Sequence, residues 1–100
     1  MNRFFDELGA RWVAAAERRS ARIQAPTLDA NLALELLELA RVAARTQERR
    51  FAPLSCYMAG VAAERLRAAK AGLDDAAVAA YILEVRRELE SEYPAPASER

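Results

Sequence analysis

Arg41, Arg45 and Arg49 recur every four residues, and Arg50 follows directly before Phe51. On a helix ending near residue 45, that spacing gathers guanidinium groups at its C-terminal end. Each planar guanidinium presents a fork of donors that fits a phosphate or carboxylate bidentately, so the four residues form a candidate anion-binding cluster. The same cations also complement the negative end of the helix dipole, and Glu38 and Glu48 lie within reach to pair with them. The spacing alone leaves both readings open.

Little else in the chain has the makings of a reactive centre. There is no histidine, which removes the commonest general base and the commonest transition-metal ligand. Cys56 is the single cysteine, so no intramolecular disulfide or thiolate zinc cluster can form, which suits a reducing compartment. A thiol near a helix start gains acidity from the dipole, but Cys56 lies in the most apolar stretch of the chain, where burial opposes ionisation. Glu84, Glu88 and Glu92 share one helical face without the further ligands a calcium site needs, and Asp74 and Asp75 are accounted for by capping. The expectation is a non-enzyme with no metal and no cofactor.

Fifteen basic and fifteen acidic side chains cancel, so no overall field draws the chain to nucleic acid or an anionic membrane. Asp6, Glu7 and Arg11 interrupt any signal-like apolar run at the start, and the expected location is cytoplasmic. The most apolar segment, Leu54 to Ala63, is shorter than the roughly 20 residues a membrane span requires.

The elements that carry these residues are helices. The chain has 100 residues, is rich in alanine, and has few glycines and prolines, which sit where segments end. The expected fold is all-α: a compact bundle of about four helices in a single domain over residues 1–93, with a short disordered tail over 94–100. Phe4, Leu8, Trp12, Ala15, Ala16 and Ile23 place an amphipathic helix over Arg3 to Gln24, in which Gly9 marks either a close backbone contact or a later start. Leu32, Leu36, Leu37, Leu39, Ala40, Ala43 and Ala44 form the stripe of a second helix over Asp29 to Arg45. A third runs from Pro53 to Ala71, with Ala52 outside it and Gly72 closing it at C′. It is apolar nearly all round and is expected to be the most buried element, so that Gly60→Leu would overpack a core. Leu73, Asp74 and Val78 form the staple and cap of a fourth helix over Asp74 to Glu92, which buries Val78, Ile82, Val85 and Leu89 and leaves Glu84, Arg86, Arg87, Glu88 and Glu90 outside.

The stretch from Leu36 to Glu64, LLELARVAARTQERRFAPLSCYMAGVAAE, resembles the central motif of an uncharacterised family of small helical domains. Those domains occur alone or appended to molybdenum-cofactor guanylyltransferase-type enzymes. The resemblance lies in an LLDLAR-type helix (Leu36, Leu37, Leu39, Ala40, Arg41), a polar turn with Arg49, and the Ala52-Pro53-Leu54 entry to an apolar helix with Gly60, Ala62 and Ala63. It covers about a third of the chain and implies no activity. The sequence departs at Arg45, where the family often has His, and at Arg50, where it often has Pro.

The resulting expectation is a non-catalytic accessory or protein-interaction module, with the resemblance pointing to molybdenum-cofactor handling. The alternative is an anion- or nucleic-acid-binding domain using the arginine cluster. Helices one and two also carry more apolar positions than one shared core can cover. A homodimer, or a hetero-complex through the same surface, is therefore expected, with Phe5 or Trp12 in the contact.

Overall fold

A computed structural model describes residues 2–94, and these form four α-helices. They are α1 (Arg3–Glu17), α2 (Ala30–Thr46), α3 (Phe51–Ala69) and α4 (Asp75–Glu92). The fold class is all-α, with no strand among the described residues. The tail expected from residue 94 onward lies, beyond Pro94, outside them. The chain divides into two units, residues 1–30 and residues 31–100.

In the first unit Asn2 caps α1, its Oδ1 accepting from the Phe5 N–H at 3.3 Å. The helix ends at Glu17, seven residues short of the Gln24 that the apolar periodicity predicts. Ser20 takes a left-handed φ of 61°. Its N–H donates to the Glu17 carbonyl at 3.0 Å, while the Ala21 N–H reaches the Ala16 carbonyl at 2.9 Å. These two bonds make a Schellman closure, built here on a serine where glycine is usual. Ile23 is thereby excluded from the helix. The chain then returns past α1 without regular structure, and the Pro26 carbonyl oxygen comes within 2.8 Å of where a Cβ on Gly9 would stand. Gly9 is thus the close-approach glycine of the two alternatives.

In the second unit Leu39, Ala63, Val78 and Ile82 form the core, and Leu32, Leu36, Ala59 and Leu89 pack against it. Each of the three helices supplies at least one of those four, so the core sits where α2, α3 and α4 converge. The entry to α3 lies two residues before the expected Pro53. Phe51 and Ala52 donate to the Glu48 and Arg49 carbonyls at 3.0 and 3.2 Å, so a turn already in place leads into the helix. Pro53 still falls in the first turn, where no N–H is required of it. At the other end α3 stops at Ala69, and Gly72 takes its φ of 85° in the turn beyond, not at C′. Asp74 caps α4 as its sequence suggests, Oδ1 accepting from Ala77 N–H at 2.9 Å, and Val78 is fully buried. Arg67 on α3 reaches Asp75 on α4 at 2.8 Å across the same turn.

The expectation that α3 is the most buried element is overturned. Only Ala63 is buried on it, and Leu54, Tyr57, Met58 and Gly60 all face outward. No atom lies within 4 Å of a Cβ built on Gly60, so larger side chains there overpack nothing. Gly60→Ala should instead raise the stability of this unit by about 1 kcal/mol, through helix propensity at an exposed interior position. A urea midpoint at or below that of the wild type would contradict this.

Candidate interaction surface

The arginines of the cluster take separate partners. Arg41 pairs with Glu38 one turn back at 2.9 Å and with Glu90 on α4 at 3.7 Å. Arg45, half-buried, donates from Nη2 to the Tyr93 carbonyl at 3.1 Å, so α2 closes an orphan carbonyl at the end of α4. Arg50 pairs with Glu48 at 2.7 Å. Arg49 is exposed in the connection between α2 and α3. Three of the four guanidinium groups are thus turned to partners within the chain. The hydrogen bond and charge of Arg41 hold the Glu38 carboxyl below its ordinary range.

Cys56 faces α2, where its Sγ–H donates to the Leu36 carbonyl at 3.6 Å. Burial pushes the thiol up from its ordinary value, so the protonated form is the one the fold favours. Its contribution to stability is complete below the unfolded thiol's pKa and is lost as pH rises through the folded value. Alkylation by iodoacetamide at pH 7.5, an ordinary assay condition in which free thiols are partly ionised, should run several-fold slower in the native chain than in urea. Equal rates would show an accessible, ordinary thiol. No group of three or more His, Cys, Asp or Glu among the described residues is placed to hold a metal ion.

What the helices do present is apolar surface. On α3, Leu54 is 60% exposed, Tyr57 73% and Met58 72%. These residues are one, three and four apart, so they cover one outer sector of the helix, and Val61 extends it by a turn. On α2, Leu34 and Leu37 are also exposed. Beside this sector an open groove of about 260 Å³ runs between α3 and α4. Leu39 and Ile82 form its floor, Met58 and Val85 its rim, and Tyr81 and Leu89 mark its two ends along α4. In the first unit Trp12 is 56% exposed and Phe5 is half-buried.

Residues 6–97 match the model of a domain of unknown function, DUF6457. The chain belongs to that family. No curated protein and no solved structure matches the chain. The match extends well beyond the central motif, taking in most of α1 and all of α4 of this DUF6457 domain. No helix of the described residues is long and apolar enough to cross a membrane.

Leu54, Tyr57 and Met58 are the surface residues that the sequence does not single out. A helix that is apolar all round can be sheathed by its own chain or can keep one side for another, and the two patterns look alike in sequence. Gly60 is the one local hint, since a glycine in mid-helix suits close approach by something outside it.

Proposed function

We propose that this DUF6457 domain is a non-catalytic helical module that binds another protein through the exposed apolar sector of α3. The observation that carries the reading is the exposure of Leu54, Tyr57 and Met58 on one helix of a small chain. Contiguous apolar surface of this kind is uncommon on monomers and marks interfaces, where Tyr and Met are enriched. The missing histidine, together with a Cys56 thiol held protonated against α2, supports the non-catalytic part. The free cysteine supports a reducing compartment, the cytoplasm. The engagement of Arg41, Arg45 and Arg50 within the chain favours this reading over an anion- or nucleic-acid-binding one.

The test compares tagged wild-type chain with Tyr57→Glu/Met58→Glu in capture from the native cell. Both side chains lie outside the core, so the variant should keep its helicity by circular dichroism. Loss of a defined set of co-purifying proteins is the expected result, and retention of the same set would refute the reading. A link to molybdenum-cofactor handling is proposed on the family resemblance alone. Binding of a molybdenum-cofactor guanylyltransferase to the immobilised chain tests it.

A further inference from the structure

The groove between α3 and α4 carries opposite charge on its two flanks, with one exposed cation, Arg65, beyond Ala62 on α3 and a row of carboxylates on α4. Glu84, Glu88 and Glu92 each follow a groove-lining residue of α4, namely Tyr81, Val85 and Leu89, by three positions, so they form a net acidic rail along that edge, with Arg87 on its outer side. The opposite side of α4 is the one that faces α2, through Arg86 and Glu90. Glu84, Glu88 and Glu92 make no ion pair with any described residue, in contrast to Glu35, Glu38, Glu48 and Glu90. An apolar trough beside an unpaired acidic row fits a helix with an apolar stripe and cations along one edge of it.

The same chain contains such a helix. On α1, Phe4, Leu8 and Trp12 recur every four residues, and Phe4 and Trp12 are both exposed. Arg11 follows Leu8 by three positions and Arg18 follows Arg11 by seven, which puts both cations along one edge of that stripe. Neither pairs with a carboxylate among the described residues. Phe4 and Trp12 are eight residues apart, about 12 Å along the helix, and so are Tyr81 and Leu89 at the two ends of the groove. Gly9 and its contact with Pro26 occupy a different side of α1, which leaves the stripe open.

We propose that α1 of one copy lies in the α3/α4 groove of a second copy, with Phe4 and Trp12 in the trough and Arg11 and Arg18 on the acidic rail. This deepens the interaction reading by naming a partner, and rests on it only in assigning the chain to protein contacts. The exchange is reciprocal under a two-fold axis, so each dimer contains two such contacts.

Sedimentation equilibrium at about 50 μM, within the usual range for weak dimers, should give twice the 11.1 kDa chain mass for the wild type. Trp12→Glu and Val85→Glu should each give the monomer mass with unchanged helicity, because both side chains already face solvent within one copy. Mixing the two variants should restore a dimer, because one intact α1 then meets one intact groove. Arg11→Glu/Arg18→Glu should weaken association at least ten-fold at low salt. A wild-type dimer that survives both Trp12→Glu and Val85→Glu overturns the groove and leaves the interaction reading intact. A wild-type monomer overturns the self-contact, and capture of another protein by wild type but not by Val85→Glu would then assign the groove to a different partner. Failure of the Tyr57→Glu/Met58→Glu capture test alone would instead count against the broader reading.

Discussion

Arg86→Met should lower the stability of the α2–α4 unit by about 2–3 kcal/mol, the largest loss expected from any single charged residue of this chain. The Arg86 guanidinium donates to Glu35 Oε1 on α2 from Nε at 3.2 Å and from Nη2 at 3.1 Å, and from Nη1 to Glu90 at 2.7 Å. The side chains of Arg86 and Glu35 are only 14% and 18% exposed, so water screens this pair weakly. Methionine keeps most of the apolar stem but leaves a half-buried carboxylate facing no cation. Arg50–Glu48 and Arg3–Glu7 are the contrasting cases, since their side chains are mostly in water and removing either pair should cost under about 0.5 kcal/mol.

The cost of Arg86→Met should fall largely on the stranded partner and not on a lost attraction. Arg86→Met/Glu35→Met should therefore recover much of the loss, since well-packed apolar replacements of partly buried pairs are often near neutral. Urea unfolding of the two single variants and the double variant gives the coupling directly. A double variant as unstable as the sum of the singles would show that the pair acts through packing alone.

Arg86 also shows how a sequence pattern can mislead about position. The Val78, Ile82, Val85, Leu89 stripe puts Arg86 among the outward residues of α4, yet the structure draws it toward α2. A long aliphatic stem can run along a helix–helix seam and carry its charge to a partner, and no hydropathy period records that. The arginines after α2 are legible for the opposite reason. Glu38 and Glu48 are close in sequence to Arg41 and Arg50, so local pairing is visible without the fold, whereas the reach of Arg45 to the Tyr93 carbonyl is not. Asp74, with Val78 four residues on, marks the start of α4 unambiguously because capping is a local interaction. The outer sector of α3 could not be read in this way. Whether Leu54, Tyr57 and Met58 are covered depends on how many neighbours the helix has, which is a property of the assembled chain.

Gly9→Ala should destabilise the first unit by about 1–2 kcal/mol, although alanine is the better helix former by about 1 kcal/mol. Helix propensity and local space oppose each other at this position, and the contact distance decides between them. The added Cβ would meet the Pro26 carbonyl oxygen at 2.8 Å, closer than a Cβ can approach. A flexible side chain could swing away, but this oxygen belongs to the backbone of a segment held at one end by the Schellman closure at Ser20. Either α1 or the returning chain must move. Amide exchange read by NMR should then show lower protection from Gly9 to Val13 in the variant. The identical substitution at Gly60, where nothing lies within 4 Å, should move stability the other way. Opposite signs for one chemical change at two helical glycines would establish that the Pro26 contact, and not the helix preference of the residue, keeps a glycine at position 9. Increased protection in Gly9→Ala would show that the returning segment yields without cost.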